Sequence, residues 1–200
     1  MNQRVLITGA SHGIGKAAAE RFAKEGCTLI LNCRQSVEEL SALEFYLKKN
    51  YSVDCISLIG DMSNEEWHRV MGINLDSVFY CCREAIPYML SKKSGSIVNI
   101  SSVWGNIGAS MEVAYSASKG AVNSFTKALA KELAPSNIRV NAAAFGTNSC
   151  FSAEERAALE EEIPIGRYGT PQEAAECIYR LATAPAYLTG QIITMDGGWC

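Results

Sequence analysis

The sequence lacks several features that would place it in common functional classes. No apolar run approaches the roughly 18 residues that a membrane-spanning helix requires. The formal net charge is only −3 and no basic stripe is present, so we expect neither a membrane nor a nucleic-acid partner. The only two histidines, His12 and His68, lie far apart, and no Cys-x-x-Cys pair occurs, so we predict no metal site.

The N-terminus and the cysteines bear on the compartment. A strand pattern begins at Arg4, so we expect no signal peptide before the fold. Most of the eight cysteines lie in apolar stretches, where cysteine behaves as a small core residue. Free buried thiols are typical of a reducing compartment, so we predict a cytoplasmic protein.

Apolar runs alternate with segments of helical periodicity along the whole chain. This alternation is typical of an α/β fold in which helices cover both faces of a parallel sheet. With 200 residues and no linker or repeat, we predict one doubly wound domain over residues 1–200. The predicted strands are Val5–Thr8, Thr28–Asn32, Val53–Ser57, Ser96–Ile100, Arg139–Ala144 and Gln191–Met195.

Helical periodicity and capping signals predict the elements between these strands. The longest are Gly13–Glu25, Asn64–Ser91 with a kink at Pro87, and Glu112–Leu133. Capping boxes, in which Ser or Thr is followed three residues later by Glu, begin at Ser36, Ser152 and Thr170.

A glycine-rich loop joins the first strand to the first helix. It reads Thr8-Gly9-Ala10-Ser11-His12-Gly13-Ile14-Gly15. Glycines permit a tight turn and close approach of a pyrophosphate, and the helix N-terminus offers unpaired N–H groups. A structural turn without a ligand is the alternative, but the position directly after the N-terminal strand favours a dinucleotide site.

The end of the second strand bears on which dinucleotide is bound. An acidic residue there holds the 2′-hydroxyl of NAD, whereas an arginine accommodates the 2′-phosphate of NADP. Here the strand runs into Arg34, and no carboxylate occurs before Glu38. We therefore predict NADP(H), with a solvated surface arginine as the alternative.

Tyr115 and Lys119 are four residues apart and share one face of a predicted helix. A free tyrosine is a poor acid–base catalyst at neutral pH, and a nearby ammonium favours the phenolate and lowers the tyrosine pKa. Taken alone, the pair would more often be a surface contact. Ser102 ends a buried strand thirteen positions before Tyr115, where ligands bind in parallel sheets. Ser101 is the alternative hydroxyl, although only one of the two should face the site.

The glycine loop, Ser102, Tyr115 and Lys119 together resemble the short-chain dehydrogenase/reductase family in order and spacing. The resemblance implies a Rossmann-type fold and reduction of a carbonyl, with Ser102 polarising the oxygen and Tyr115 donating the proton. Asn74 resembles a fourth catalytic residue that holds a water on a relay to Lys119; an amide facing a neighbouring helix is the alternative. The implied cofactor-binding residues are Gly9, Ser11, His12, Gly13, Ile14, Gly15, Arg34, Asp61, Tyr115, Lys119, Gly146 and Thr147.

Within the family, the Tyr115 segment, Glu132–Pro135 and Ile163–Arg167 resemble reductases of 3-oxoacyl thioesters on acyl carrier protein. The resemblance implies a role in fatty acid biosynthesis. Other carbonyl, steroid or sugar-alcohol dehydrogenases of the family are alternatives, and so is a non-catalytic dinucleotide-binding scaffold. It also implies a homotetramer in which the two long helices pack across an interface. Apolar candidates for that interface, or simply for the core, are Val78, Phe79, Val122 and Phe125.

The sequence is shorter than the family pattern in two places. A helix and a central strand, about 30–45 residues with their loops, are missing between Asp61 and Asn64. The substrate loop after Ala144 is short by a handful of residues. Either these segments are deleted, which predicts a rebuilt or inactive site, or residues are missing from the sequence as given. We favour the second, because loops at cofactor sites often order only on binding. A Cα distance from Ser63 to Asn64 far above 3.8 Å would indicate it.

Overall fold

The computed structural model describes residues 3–33, 36–59, 66–110, 112–146 and 160–200. The strands are β1 Arg4–Thr8, β2 Thr28–Cys33, β3 Cys55–Ile59, β4 Gly95–Ser102, β5 Ile138–Phe145 and β6 Ile192–Met195. The helices are α1 Gly13–Lys24, α2 Val37–Tyr51, α3 Glu66–Met71, α4 Ser77–Lys92, α5 Trp104–Ile107, α6 Val113–Leu133 and α7 Pro171–Thr183. All described strand pairs are parallel, which confirms the predicted α/β class.

One compact unit comprises Met1–Ser63 and Thr170–Tyr179. Its described strands form a three-stranded parallel sheet in the order β1-β2-β3, in which Val5 pairs with Leu29 and Leu29 with Cys55. The strand predicted at Val53–Ser57 lies two residues further along the chain than expected. The prediction was offset because Val53 is apolar and buried although it precedes the strand, so the apolar pattern did not mark the strand boundary.

The inner face of α1 forms the core of this unit. Four alanines and Phe22 are buried, and their small side chains let the helix lie close to the sheet. The ring of Phe22 lies 5.4 Å from that of Tyr179, and Arg21 forms an ion pair with Glu176 at 2.9 Å. The segment at residues 170–179 therefore packs on α1 although about 150 residues separate them in sequence.

The second compact unit comprises Asn64–Gly169 and Arg180–Cys200. Its described strands form a parallel sheet in the order β4-β5-β6, and β4 pairs with β5 along its full length, from Gly95 to Ser102. A hydrophobic cluster of buried residues lies between this sheet and two long helices. Its members are Cys82, Leu129, Ala130, Leu133, Ile138 and Val140.

The structure divides the four candidate interface residues. Val122 is completely buried, which supports the core alternative for this residue. Val78 and Phe125 are partly buried against the hydrophobic cluster, while 45% of Phe79 is exposed. Only Phe79 retains substantial area for an interface.

The helix predicted over Asn64–Ser91 is interrupted, but not at Pro87. A π-helical segment, Gly72–Asp76, separates α3 from α4, and α4 continues through Pro87. Proline has no backbone N–H, so the carbonyl of Arg83, one turn earlier, loses its hydrogen-bond partner. Both Arg83 and Pro87 are exposed. Water can satisfy that carbonyl, so the helix tolerates the proline.

The capping predictions have different outcomes. At Thr170 the box is confirmed: Thr170 N donates to Glu173 Oε2 at 2.8 Å, and Glu173 N donates to Thr170 Oγ1 at 3.2 Å. At Ser36 the helix begins where the box predicts, with Ser36 at the N-cap of α2, but its side chain makes no capping hydrogen bond, so that contact was predicted wrongly. The box at Ser152 lies outside the described residues.

The two places where the sequence is short also fall outside the described residues, since Ser63, Asn64 and residues 147–159 are among those not described. Within the described part, β1 pairs only with β2, and β4 pairs only with β5. Each sheet thus has a strand edge without a described partner where the sequence predicts the missing central strand. Among the described helices, none is both long and apolar enough to span a membrane.

Candidate active site

The loop between β1 and α1 makes a sharp turn that depends on glycine. Gly9 has φ of 66° and Gly13 has φ of 55°, a region that side chains disfavour. Between them Ser11 is buried and His12 is exposed, with Ser11 Oγ 2.9 Å from His12 Nδ1. The polar side chains of the loop therefore lie directly before the first turn of α1.

Gly15 brings the first turn of α1 against this loop. A Cβ atom built on Gly15 would lie 2.2 Å from the carbonyl oxygen of Gly9, so no larger residue fits. Ala10 N donates to Asn32 O at 2.9 Å, which ties the loop to the end of β2. The result is a backbone-lined turn at a helix N-terminus, the arrangement that accepts a phosphate group.

The other predicted cofactor residues are only partly described. Ile14 is partly buried in the first turn of α1, and Gly146 follows β5, where its N–H donates to Met195 O at 3.0 Å. Arg34, Asp61 and Thr147 lie outside the described residues. Their roles stay predictions from the sequence.

The two serines at the end of β4 point to different partners, as alternation along a strand requires. Ser101 Oγ donates to Lys119 O at 3.3 Å, so its hydroxyl faces the backbone of α6. Ser102 Oγ accepts a hydrogen bond from Trp104 N at 3.2 Å. Since Ser102 accepts here, its own proton stays available for another acceptor.

Tyr115 and Lys119 lie in the first turns of α6 and face the same side. Lys119 Nζ is 5.6 Å from the centroid of the Tyr115 ring and donates to Ile100 O, in β4, at 3.1 Å. Burial lowers the pKa of Lys119 from 10.5 to about 8. The side chain is therefore a cation at neutral pH, held between the phenol and the strand that ends in Ser102.

Asn74 lies in the π-helical segment before α4. Its Nδ2 donates to Ser118 Oγ at 3.0 Å, and Ser118 Oγ donates to Tyr115 O at 2.7 Å. The structure thus brings Asn74 into contact with Ser118, the completely buried residue that directly precedes Lys119. A water relay from Asn74 to Lys119 stays a prediction.

Two further residues at this site were missed by sequence reasoning. The Trp104 ring lies at 86° to that of Tyr115, with centroids 6.0 Å apart. A Cβ atom on Gly105 would lie 2.7 Å from the backbone of Lys119, so this glycine lets α5 touch α6. The only available signal was their position directly after Ser102, which does not specify these contacts.

Comparison with known proteins identifies the family. Residues 3–63 match the family model described as short chain dehydrogenase, and residues 49–200 match that described as Enoyl-(Acyl carrier protein) reductase. The second match alone covers well over half of the chain. This chain belongs to the short-chain dehydrogenase family. It is therefore an oxidoreductase with the Rossmann-type fold of that family.

Relatives in the short-chain dehydrogenase family match over nearly their whole length. An uncharacterised oxidoreductase of Bacillus subtilis is 37% identical, covering 100% of this chain and 99% of the relative. A 3-oxoacyl-[acyl-carrier-protein] reductase of Thermotoga maritima is also 37% identical, covering 96% of each. Among solved structures, a 3-oxoacyl-[acyl-carrier protein] reductase with bound NAD from Brucella melitensis has a TM-score of 0.89 at 28% identity, covering 99% of this chain and 91% of that chain.

The Bacillus alignment also measures how much shorter this member of the family is. It spans 240 positions although this chain has 200 residues, which leaves about 40 positions of the relative without a counterpart. That length agrees with the missing helix, strand and loop residues predicted from the sequence.

Proposed function

We propose that this chain reduces 3-oxoacyl thioesters of acyl carrier protein with NADPH, as a step of fatty acid biosynthesis in the cytoplasm. One observation carries the proposal: Lys119 Nζ lies 5.6 Å from the ring centroid of Tyr115 while bonded to the strand that ends in Ser102. A phenol, an ammonium and a hydroxyl are thus gathered at the carboxyl end of a parallel strand, where substrates bind in such sheets.

The residues divide the work of carbonyl reduction. Reduced nicotinamide, when bound, supplies the hydride that the carbonyl carbon accepts. Ser102 donates its hydroxyl proton as a hydrogen bond to the carbonyl oxygen, which stabilises the developing negative charge. Tyr115 transfers its proton to that oxygen, and the product is a hydroxyl group. The Lys119 ammonium stabilises the phenolate that is left behind.

The glycine loop supports a dinucleotide cofactor. Gly15 leaves no room for a side chain, and the backbone there can approach a pyrophosphate closely. The preference for NADP(H) over NAD is supported by the sequence alone, through Arg34 and the absence of an acid before Glu38. The guanidinium group of Arg34 suits a 2′-phosphate because it offers several donors in one plane.

The choice of substrate is supported by the relatives. Several proteins named as 3-oxoacyl-[acyl-carrier-protein] reductases are 30–37% identical over at least 96% of this chain. Other carbonyl, steroid and sugar-alcohol substrates are the alternatives within the same class.

We also propose a homotetramer and a cytoplasmic location. The exposed ring of Phe79 on α4 supports the former. The free thiols of the seven described cysteines support the latter.

The substrate proposal predicts a specific order of rates. With NADPH, kcat/KM for acetoacetyl-carrier protein should exceed that for a simple ketone at least about tenfold, because remote binding energy supports the reaction. The kcat/KM measured with NADPH should exceed that measured with NADH by about tenfold or more, as expected for charge-assisted hydrogen bonds to the 2′-phosphate. Oxidation of the nicotinamide, followed by absorbance, measures both ratios.

A crotonyl thioester serves as the control for this assay, because it offers a carbon–carbon double bond in place of the ketone. Faster reduction of crotonyl thioester, or equal rates with all ketones, would contradict the substrate proposal.

A non-catalytic dinucleotide-binding scaffold is the second candidate, and the roughly 40 absent positions favour it. NADPH binding without turnover of any substrate would support that candidate.

The environment of Lys119 predicts the pH dependence. Because burial lowers its pKa to about 8, the ammonium is present below that pH and is lost above it. The loss removes the charge that stabilises the Tyr115 phenolate, so kcat for reduction should fall as pH rises through about 8. A kcat that does not fall until the pH reaches the ordinary lysine pKa of about 10.4 would contradict this. Lys127→Met, an exposed change on the same helix, should leave the profile unaltered.

A further inference from the structure

Trp104 contacts the two side chains, Ser102 and Tyr115, that are proposed to act on the carbonyl oxygen of the substrate. Its backbone N–H donates to Ser102 Oγ at 3.2 Å, and its ring lies edge-to-face with Tyr115 at 6.0 Å. Lys119 Nζ lies 5.6 Å from the centroid of the same Tyr115 ring. The phenol is therefore in contact with an indole as well as with an ammonium.

Trp104 is held in place because the short helix α5 is fixed at several points. Asn106 Nδ2 donates to Thr194 Oγ1 in β6 at 3.2 Å, and Asn123 Nδ2 in α6 donates to Asn106 Oδ1 at 2.9 Å. Val103 N donates to Phe145 O at 3.0 Å, which joins the start of α5 to the end of β5. Gly105 fits closely against the Lys119 backbone. A rigid support of this kind gives the indole a defined position.

We propose that Trp104 is a positioning residue that fixes the orientation of the Tyr115 phenol relative to Ser102 and Lys119. This inference rests on the proposed function, in which Tyr115 is the proton donor. An aromatic pair with near-perpendicular planes restricts rotation of both rings. Restricting the phenol keeps its hydroxyl within reach of the oxygen that Ser102 polarises, and small misplacements at such positions are costly.

The two contacts of Trp104 can be separated by mutation. A side-chain substitution removes the indole but keeps the backbone N–H that bonds to Ser102, so its effect falls on Tyr115. Trp104→Ala should lower kcat about 10- to 100-fold, while KM for NADPH stays within about twofold, since neither contact involves the glycine loop. Trp104→Phe keeps a ring and should recover most of kcat, whereas Trp104→Leu should not. Trp67→Ala, at an exposed tryptophan of α3, is the matched control and should leave kcat unchanged.

A spectroscopic measurement tests the contact without turnover. The chain has three tryptophans, so Trp67→Phe together with Trp199→Phe leaves Trp104 as the only indole. Its emission should fall when Tyr115 ionises, because tyrosinate accepts excitation energy from a nearby indole. Adding Tyr115→Phe should remove the part of that change that comes from the ring in contact with Trp104, while the other tyrosines of the chain still contribute.

The outcomes distinguish this inference from the proposed function. An emission titration that is identical with and without Tyr115 would overturn the positioning role, as would full kcat in Trp104→Ala. If the alanine variant does not fold, as judged by its melting, comparison of the phenylalanine and leucine variants decides: equal kcat in those two overturns the role. Absence of reduction by the unmodified protein, despite a Tyr115-dependent change in emission, would overturn the proposed function and leave the aromatic contact established.

Discussion

Tyr115→Phe should lower kcat/KM for the reduction of acetoacetyl-carrier protein by roughly 10³-fold, within the range that general acid catalysis contributes. The change removes one oxygen and its proton but keeps the ring that contacts Trp104 and Lys119. The position of the helix should therefore not change. Without the phenol, the oxygen of the substrate must take its proton from water.

The control for this variant is the same chemical change at a distant tyrosine. Tyr88 lies on α4 with 74% of its surface exposed, and Tyr88→Phe should keep the full rate. NADPH binding, measured by the fluorescence of the reduced nicotinamide, should be unchanged in Tyr88→Phe and should persist in Tyr115→Phe, because the glycine loop proposed to hold the pyrophosphate is untouched. A Tyr115→Phe enzyme that retains more than about a tenth of the rate would exclude Tyr115 as the acid.

Gly15→Ala should have the second largest effect, and it should act on the cofactor. In an open helix, alanine is favoured over glycine by about 1 kcal/mol. Here the added Cβ would lie 2.2 Å from Gly9 O, a backbone atom, so the loop must move. Forcing an extra carbon into a packed site costs about 1–3 kcal/mol, which reverses the gain in helix propensity. We expect a lower melting temperature and NADPH affinity reduced about 100-fold or more, because the proposed phosphate contacts would depend on this loop.

Gly120→Ala is a matched substitution at a helical glycine. There the nearest atom to an added Cβ is Gly105 O at 3.4 Å, an ordinary contact, so thermal stability should be equal or higher. Melting followed by circular dichroism, with and without NADPH, compares the two variants. Equal melting temperatures for Gly15→Ala and the unmodified protein would show that the loop does not need this glycine.

Much of the fold could be predicted because its signals are local. Apolar runs such as the one before Thr8 form strands, and α1 is amphipathic with small residues on its inner face. The Thr170 capping box was also predictable, since its two hydrogen bonds join residues only three positions apart. Each of these features is decided by neighbours in sequence, so a single sequence contains enough information.

The features that could not be predicted depend on contacts between distant residues. The π-helical segment between α3 and α4 places Asn74 against Ser118, 44 positions away, and nothing in the local pattern marks the extra residue in that turn. Ser36 is of a residue type favoured for capping and lies at the N-cap of α2, but its side chain makes no capping hydrogen bond. The residue type determines whether a side chain can accept a capping hydrogen bond, whereas the backbone angles decide whether that hydrogen bond forms.

The candidate site shows the same division. The spacing of Tyr115 and Lys119 predicts one helix face, and the structure places them there. The distance from Lys119 Nζ to the Ile100 carbonyl, and the contact of Trp104 with Tyr115, depend on how α5 and α6 pack on the end of β4. Tertiary contacts of this kind leave no periodic pattern in the sequence.

The unit that contains the glycine loop is completed by a segment from much later in the chain. Phe22 packs on Tyr179, and Arg21 bonds to Glu176, so α1 lacks these partners until residues 170–179 have been made. During synthesis on the ribosome, the surface of α1 that carries Arg21 and Phe22 therefore stays without these partners while about 150 further residues are added. At 5–20 residues per second that delay lasts on the order of 8 to 30 seconds. The contacts of residues 170–179 with α1 can thus form only after the three described strands of the same unit have been synthesised.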